Sequence, residues 1–554
     1  MTSRRIRAVV VAAILLTTWV LVATASRDAA ESCTGLVGKT ISASAIGLPS
    51  TGASVRSATL VHASASISVE YCKVLGVISP VDPSAPDISF QVNLPAVWNG
   101  KAVQYGGGGF NGTLITGDTP FRGLDVPPDM PPPLAQGYAT FGTDSGHQVS
   151  TLHEIQAFAL NDEALINFAY ASYKKAHDVA VTLIASRYDR VPSRVYYLGG
   201  SEGGREGLAM AQRFPADYDG VVSVVPVISW VGLQTAGNRS GIVQQKGGWL
   251  SANKLALLRK GVLAACDNLD GLADGIIGNY ERCGSVFDAA TLRCPTGGDE
   301  GDACLSDPQL TAVNTLHAPY EFPFSVANGV KAYPGFGYGG EDQPGGLSAW
   351  VSAARPATFP SPPGSGQGQQ WYYGNGAIRY FIARDPMFNP LEYSPDRYAD
   401  RVRDISRLMD STDPDLAAFA ARGGKLIMKE NMADYAQSPF AGIAYYKSVV
   451  ARMSQTAVDR FFRLYVTPGT NHGGSGVSST TGAPIPQYVD LLGLLDAWVE
   501  KGEPPADALI QTSRATTPPF IVTASRPMCR YPNFPRYIGS GDPNSASSFS
   551  CVSP

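Results

Sequence analysis

The chain is poor in charge and has no long run of either sign. Charged side chains make up 16% of its 554 residues, and the formal net charge is -4. A surface that binds nucleic acid needs clustered Lys and Arg, so the sequence predicts no nucleic-acid partner. A hydrophobic content of 44% is ordinary for a globular protein, which excludes a disordered or collagen-like chain.

Long hydrophobic runs are scarce as well. One apolar stretch, residues 8–23, follows three arginines and ends in a small-x-small pattern. This is typical of a secretory signal over residues 1–25, which would direct the chain to the periplasm or out of the cell. An uncleaved membrane anchor is the alternative, although a spanning helix needs ~20 apolar residues. No second such segment follows, so we expect no stable membrane association after cleavage.

Cysteine is rare, and none of the eight lies near a histidine in zinc-finger spacing. In an exported chain these cysteines should be joined as disulfides. The sequence leaves the connectivity open. Closeness along the chain favours four pairs, which are Cys33 with Cys72, Cys266 with Cys283, Cys294 with Cys304, and Cys529 with Cys551.

A serine stands between a predicted strand and a predicted helix. Residues 195–198 are typical of a buried strand, and the sequence after Ser201 turns helical. Glycines on both sides of Ser201 allow a tight turn. Gly-x-Ser-x-Gly in this setting is the pattern of a nucleophile elbow, which holds a serine hydroxyl above a sheet. A glycine-rich loop without a chemical role is the alternative.

Strand and helix patterns alternate up to about residue 225, which predicts a mostly parallel sheet. From residue 228 to residue 415 the chain is rich in Gly, Pro and aromatic residues and loses this alternation. We therefore predict an α/β-hydrolase catalytic domain over residues 26–227 and 416–554. Residues 228–415 would form an inserted lid domain above the carboxyl ends of the strands.

Histidine is rarer than cysteine, with six in the chain, and only His317 and His472 follow Ser201. The sheet pattern resumes near residue 424 and leads first to Asp434 and then to His472. The order Ser, Asp, His is that of α/β hydrolases. His147 precedes the serine in an Asp-x-Gly-His turn, for which we expect a structural role.

A second glycine-rich loop, residues 106–112, follows a predicted strand. Such a loop is either plainly flexible or turns its N–H groups toward a reacting oxygen. We predict an oxyanion hole from the N–H groups of Glu202 and Gly109, with Gly108 as the alternative. With Ser201, His472 and Asp434, this set predicts acyl transfer without an organic cofactor. A binding protein without turnover is the alternative class.

Asp267, Asp270 and Asp274 lie within eight residues among turn-forming residues. Carboxylates held this closely repel one another unless a hard cation joins them, and Ca²⁺ takes oxygen ligands of this kind. On spacing alone, a surface turn without a metal is an equal alternative.

These motifs together resemble the tannase and feruloyl esterase family over nearly all of the mature chain. The resemblance is strongest in residues 106–112, 199–207, 212–215, 218–220, 266–276 and 371–386. It implies a secreted serine esterase whose substrate is a small ester of an aromatic acid, of the feruloyl, galloyl or terephthalate-monoester type. A general short-chain esterase is the alternative, and the sequence gives no indication of oligomeric state.

The resemblance also implies a calcium site that braces the lid, with the carbonyls of Leu272 and Ile276 completing the three aspartates. Two departures stand out. Where the family usually has a cysteine before the nucleophile and another after the histidine, joined as a disulfide, this chain has Gly200 and Gly473. Residues 429–433 also differ from the more usual sequence before the aspartate.

Aromatic residues cluster in the predicted lid, where they either grip a flat acyl group or form the lid core. They are Trp371, Tyr372, Tyr373, Tyr380 and Phe381.

Overall fold

The computed structural model describes residues 32–65, 67–119, 125–360 and 366–554. The predicted export signal, residues 1–25, lies outside them. Within the described ranges, no helix combines the length and the apolar character needed to cross a membrane.

The strands of the described residues run in chain order as follows: β1 Thr40–Ile41, β2 Gly52–Val61, β3 Tyr71–Ser79, β4 Ile88–Pro95, β5 Lys101–Tyr105, β6 Ala139–Thr143, β7 Arg194–Gly200, β8 Gly220–Val224, β9 Tyr320–Glu321, β10 Ala332–Tyr333, β11 Lys425–Asn431, β12 Phe462–Thr467, β13 Ala508–Arg514, β14 Val522–Arg530, β15 Phe534–Tyr537 and β16 Phe549–Val552.

Twelve of these strands form one sheet, in the order β1-β2-β3-β4-β6-β5-β7-β8-β11-β12-β14-β13. The central strands from β6 to β12 are parallel to one another. The strands at both margins pair antiparallel. The parallel centre is covered on both faces, which explains its near-continuous apolar strands. The predicted α/β-hydrolase fold is confirmed.

The helices are α1 Asp162–Ile166, α2 Ser172–Tyr188, α3 Glu202–Arg213, α4 Trp230–Val243, α5 Ala252–Cys266, α6 Tyr280–Val286, α7 Asp307–His317, α8 Gln369–Gly376, α9 Ala399–Met409, α10 Ala417–Ala421, α11 Pro439–Met453, α12 Gln455–Val458 and α13 Leu491–Lys501. Neighbouring residues of β7 face opposite sides of the sheet. Tyr197 packs into the apolar cluster that includes α2, α3 and α11, whereas Tyr196 packs into the cluster that includes α13.

The chain between β8 and β11, residues 225–424, is here called the inserted segment. Its apolar residues pack around Trp230, Phe336 and Phe381, in a cluster that also includes Phe110, Phe168 and Tyr435 from outside the segment. The sequence pattern showed no regular alternation there, yet the segment contains α4 to α10. Some of its helices are capped by side chains, as at α7, where Ser306 and Gln309 form a reciprocal capping box.

Four disulfides join the cysteines in the pairs that closeness along the chain favours. Cys266–Cys283 and Cys294–Cys304 lie in the inserted segment. The Cys33–Cys72 bond ties the N-terminal residues to β3, and the Cys529–Cys551 bond ties β14 to β16. Each bond is expected to contribute about 2 to 4 kcal/mol by restricting the unfolded chain.

Candidate active site

Ser201 occupies a sharp turn between β7 and α3. Its φ of 59° and ψ of -123° are rarely adopted by residues other than glycine. The Ser201 N–H donates to the carbonyl of Val224 at 2.9 Å, and its own carbonyl accepts from the N–H of Val227 at 3.2 Å. A Cβ on Gly199 would lie 2.1 Å from the carbonyl oxygen of Gly203. Glycine is therefore required where the strand passes into the helix.

Side chains that follow three parallel strands form one hydrogen-bonded chain. His472 Nε2 lies 2.8 Å from Ser201 Oγ, and His472 Nδ1 lies 2.7 Å from Asp434 Oδ2. The buried Asp434 carboxylate also accepts from the N–H groups of Ala436 at 2.7 Å and Gln437 at 3.2 Å. Because the carboxylate faces Nδ1, that nitrogen carries the proton, and Nε2 is free to accept one from Ser201.

The loop that carries His472 is held partly by the inserted segment. Asn471 Oδ1 accepts from the N–H of Gly473 at 3.0 Å, and Asn471 Nδ2 donates to the carbonyl of Pro344 at 2.9 Å. The indole of Trp350 packs edge-on against the imidazole of His472, with ring centroids 5.4 Å apart. The inserted segment therefore contributes to the orientation of this imidazole.

The two glycines predicted for the oxyanion hole differ in their geometry. The Gly108 N–H donates to Asn111 Oδ1 at 2.5 Å and is thus already engaged. The N–H of Gly109, a residue with φ of 58°, has no acceptor among the described residues. Glu202 is the first residue of α3, so its N–H has no acceptor within the helix. Glu202 and Gly109 line the same cavity as Ser201.

Glu206 connects the glycine-rich loop to the helix that follows the serine. Its buried carboxylate accepts from the hydroxyls of Tyr173 at 2.6 Å and Tyr197 at 2.8 Å. It also accepts from Asn111 Nδ2 at 2.7 Å and from the N–H of Gly107 at 2.9 Å. This role of Glu206 was not predicted from the sequence. The feature that could have indicated it is an acidic residue on the buried side of a helix. A buried carboxylate needs several hydrogen-bond donors around it.

A cavity of about 280 Å³ opens beside Ser201 and His472. We call it the aromatic cavity. None of the described residues that line it is Lys or Arg, and its one carboxylate, Glu202, is paired with the buried Arg205. Its ring-bearing and amide side chains are Phe110, Trp230, Trp350, Tyr373, Gln234 and Gln370.

Most of the aromatic residues singled out from the sequence lie in the core of the inserted segment. Tyr373 lines the aromatic cavity, but Trp371 is buried and donates its indole N–H to the carbonyl of Thr358 at 3.0 Å. Phe381 packs against Trp230, with ring centroids 4.8 Å apart. Trp371 and Phe381 therefore belong to the core, which is one of the two alternatives that the sequence left open.

The three aspartates predicted to bind calcium share one turn, and their carboxylate oxygens do not all lie within 4.8 Å of one another. Burial, together with the charge of Asp274, raises the pKa of Asp270 to about 7, although the Leu272 N–H opposes this. Asp274 Oδ2 accepts from Arg526 at 2.6 Å, and Asp267 Oδ1 accepts a backbone N–H. The possible metal ligands in this turn are all oxygen atoms, which Ca²⁺ prefers. The charged form of the buried Asp270 carboxyl is unfavourable unless a cation lies beside it. The chemistry of this set therefore fits Ca²⁺.

Another cluster brings three possible ligand atoms within 4.8 Å of one another. It consists of His177, Asp178 and Asp217, and it is the one such group in the described part of the chain. The Lys174 ammonium lies 2.8 Å from each of the two carboxylates and so supplies the positive charge they require. This cluster is therefore an ion-pair network on α2 and the segment that follows α3.

The sheet, the turn at Ser201 and the chain order Ser, Asp, His define the protein as an α/β hydrolase. The family model described as tannase and feruloyl esterase matches residues 72–552. The chain belongs to the tannase and feruloyl esterase family, and it is therefore an esterase.

Similar proteins agree with this assignment. The chain is 39% identical to an esterase of Agrobacterium fabrum, covering 95% of this chain and 94% of that protein. It is 31% identical to the mono(2-hydroxyethyl) terephthalate hydrolase of Piscinibacter sakaiensis, covering 90% and 87%. The crystal structure of feruloyl esterase B from Aspergillus oryzae has the same fold, with a TM-score of 0.75 at 24% identity, covering 95% of this chain and all of that one.

Proposed function

We propose that the protein is an exported serine carboxylesterase that hydrolyses esters of aromatic acids through an acyl-enzyme. The observation that carries the proposal is the placement of His472 within hydrogen-bonding distance of both Ser201 and Asp434. The aromatic walls of the adjacent cavity support a flat acyl group, because rings stack and bury large areas. The name of the relative that is 31% identical, a mono(2-hydroxyethyl) terephthalate hydrolase, supports the same class.

In the first step, Ser201 Oγ forms a bond to the ester carbonyl carbon while His472 Nε2 takes the hydroxyl proton. The carbonyl oxygen becomes an oxyanion that the N–H groups of Glu202 and Gly109 bind. Each such donor is worth roughly 2.7 to 4 kcal/mol in similar enzymes. Asp434 stabilises the imidazolium without taking its proton. The bond to the alcohol oxygen then breaks, and His472 gives its proton to the leaving alcohol.

In the second step, water hydrolyses the acyl-enzyme. His472 takes a proton from the water, whose oxygen bonds to the acyl carbon, and the oxyanion forms again at the same donors. The bond to Ser201 Oγ then breaks, and His472 returns the proton to the serine. The aromatic acid leaves, and the enzyme is restored without any redox or organic cofactor.

The inserted segment is proposed to act as a lid domain over residues 228–415, because it supplies Trp350 and Tyr373 to the cavity beside Ser201. A structural Ca²⁺ is proposed in this lid, held by the carboxylates of Asp267, Asp270 and Asp274 and the carbonyls of Leu272 and Ile276. When bound, the ion would neutralise these carboxylates and brace the turn; it takes no part in the chemical steps.

Export is proposed from the arginine and apolar pattern of residues 1–25. The four disulfides support it, because such bonds persist in oxidising compartments.

Hydrolysis of an ester panel tests the proposed function. The panel contains methyl ferulate, a galloyl ester, a hydroxyethyl terephthalate monoester and short and long aliphatic nitrophenyl esters. We expect an aromatic ester to have the highest kcat/KM and Ser201→Ala to abolish turnover in a folded protein, because loss of a triad member can cost about a millionfold. Substantial turnover by Ser201→Ala would refute the serine mechanism. A preference for long aliphatic esters over every aromatic ester would refute the substrate class.

A further inference from the structure

The hydroxyl of Tyr373 lies beside the glycine-rich loop, next to one of the proposed oxyanion donors. A Cβ on Gly109 would lie 2.9 Å from the Tyr373 hydroxyl oxygen and 3.5 Å from Cε1 of the same ring. Because a Cβ and the amide nitrogen are bonded to the same Cα, the hydroxyl and the Gly109 N–H are close neighbours. Glycine at position 109 therefore leaves room for the phenol to approach this N–H.

The Tyr373 hydroxyl and the two proposed donors belong to the same space. Tyr373, Gly109 and Glu202 all line the aromatic cavity, together with Ser201 and His472. Tyr373 is half-buried, yet none of the described residues forms a hydrogen bond with its hydroxyl. The neighbouring N–H of Gly109 has no acceptor among the described residues either. Two adjacent donors without acceptors favour a ligand oxygen that both can bind.

The ring of Tyr373 is held from several sides. It stacks on Phe110 with ring centroids 5.3 Å apart and on Trp350 with centroids 6.3 Å apart. On the same helix, α8, Gln370 Nε2 donates to the carbonyl of Tyr435 at 2.6 Å. Tyr435 lies in the loop after β11, which also carries the aspartate of the triad. The phenol is therefore fixed relative to both loops, as a preorganised donor requires.

We infer that the Tyr373 hydroxyl is a third donor to the oxyanion, and so a catalytic residue that the inserted segment supplies. The inference rests on the proposed function. In both steps the carbonyl oxygen becomes negatively charged as Ser201 Oγ or water bonds to its carbon. The phenol donates a hydrogen bond to this oxygen and keeps its own proton. A bond to a charged oxygen is roughly twice as strong as one to a neutral oxygen, so the donor acts mainly on the transition state.

The protonation state of Tyr373 suits this role. Burial raises the pKa of the Tyr373 phenol, and the neighbouring Tyr372 adds a smaller effect in the same direction. An ordinary phenol already has a pKa of about 10. The hydroxyl therefore carries its proton, and can donate it to a hydrogen bond, throughout the neutral pH range.

Removal of the hydroxyl alone tests the inference. Tyr373→Phe keeps the ring and its packing, and the substrates are methyl cinnamate and methyl ferulate, which differ in the hydroxyl and methoxy groups of the acyl ring. We expect kcat to fall by about 100-fold for both esters with little change in KM, because the oxyanion forms in acylation and again in deacylation. Tyr372→Phe is the matched control. Tyr372 precedes Tyr373 on α8 and does not line the cavity, so this variant should keep the wild-type kcat.

Inhibition by an aromatic boronic acid gives a readout that does not depend on turnover. Its boron bonds to Ser201 Oγ while His472 takes the hydroxyl proton, and the tetrahedral adduct resembles the transition state, with an oxygen at the oxyanion position. Tyr373→Phe should raise the inhibition constant of this acid by about 100-fold. The inhibition constant of cinnamyl alcohol, which forms no such adduct, should stay as in the wild type. A merely structural role would change both constants together.

The outcomes separate this inference from the proposed function. Wild-type kcat in folded Tyr373→Phe would overturn the inference and leave the serine mechanism in place. A loss confined to methyl ferulate would also overturn it, because the hydroxyl would then bind a substituent of the acyl ring. If the wild-type protein hydrolyses neither ester, the proposed function fails, and this inference fails with it.

Discussion

Asn111 donates a hydrogen bond from Nδ2 to the Glu206 carboxylate at 2.7 Å, while its Oδ1 accepts the N–H of Gly108 at 2.5 Å. One amide group thus joins the glycine-rich loop to the helix that begins beside Ser201. Of the proposed oxyanion donors, Gly109 directly follows the tied Gly108, and Glu202 lies one helical turn before the tied Glu206. Their separation is therefore set by side chains that do not face the substrate.

We expect Asn111→Ala to lower kcat/KM by about 100-fold, since a displacement of 1 Å near reacting groups can cost that much. The loss should fall mainly on kcat, because the oxyanion forms after the ester has bound. Asn279→Ala is the matched control. Asn279 caps α6 in the inserted segment, where its side chain accepts the N–H of Arg282, so its loss should cost about 1 kcal/mol of stability and leave kcat unchanged. Wild-type kcat in folded Asn111→Ala would contradict this role.

His147 lies on the other side of the same loop. Its Nε2 donates to the Phe110 carbonyl at 2.7 Å, and its ring stacks on Phe158 with centroids 3.7 Å apart. Burial lowers the pKa of His147 to about 4, a change that the hydrogen bond to Phe110 partly opposes. The folded state therefore keeps this imidazole neutral at pH values where the unfolded chain protonates it.

The sign of the pH effect follows from this difference. The stability linked to His147 is complete above the unfolded pKa of about 6.5 and is lost as the pH falls toward 4, by up to about 3 kcal/mol. We expect His147→Gln, whose amide can still donate to Phe110, to show a smaller loss in urea unfolding across this range. His153→Gln, at an exposed position, is the control. An unchanged acid dependence in His147→Gln would contradict the assignment.

The elements that carry Ser201, Asp434 and His472 could be predicted because their signals are local. A buried strand, a turn residue and the order along the chain are all visible in short windows of sequence. Glu206 and Asn111 could not be assigned their roles in this way. Their hydrogen bonds join residues 95 positions apart, and only the packing of the loop against α3 brings them together.

The same limit applies to the walls of the aromatic cavity. Phe110, Trp230 and Trp350 reach it from widely separated parts of the chain, and no sequence period indicates which aromatic side chain faces a cavity. Trp371 belongs to a conspicuous aromatic cluster, yet it packs against Gly241 of α4, where a Cβ would lie 2.1 Å from its ring. That contact between helices depends on the tertiary structure. Composition alone therefore could not show which aromatic side chains belong to the core and which line the cavity.

Removal of the proposed calcium ion should lower thermal stability. An ion bound by the folded state alone stabilises it by about 2.7 kcal/mol at a concentration 100 times its Kd. We expect a chelator to lower Tm, and Ca²⁺ to restore it better than Mg²⁺, which demands a stricter geometry. Asp270→Ala should show the low Tm without any response to the chelator, and it should keep its turnover while folded.

Asp217→Asn provides a control for the calcium experiment, because Asp217 belongs to the ion-pair network around Lys174. This variant should keep the full response of Tm to the chelator. Metal analysis supplies an independent measurement: protein purified without chelator should contain one calcium per chain. Protein that contains none would argue against the site, whatever the melting temperatures.

A disulfide between positions 200 and 473 should form spontaneously in the double variant Gly200→Cys/Gly473→Cys. The 2.8 Å contact between Ser201 Oγ and His472 Nε2 holds the two loops together, so the neighbouring Cα atoms should fall within the ~4.4 to 6.8 Å that a disulfide spans. Gly200 ends β7 in extended backbone, and a Cβ on Gly473 meets no closer atom than 3.5 Å. Cysteine should therefore fit at both positions.

The bond should stabilise the protein by about 2 to 4 kcal/mol, because it restricts the unfolded chain. Each single variant should instead carry one free thiol and melt at the lower temperature. The measurements are a thiol count on the oxidised, folded protein and Tm with and without reductant. Two free thiols in the oxidised double variant would show that the loops are held further apart, and would also weaken the pairing of His472 with Ser201.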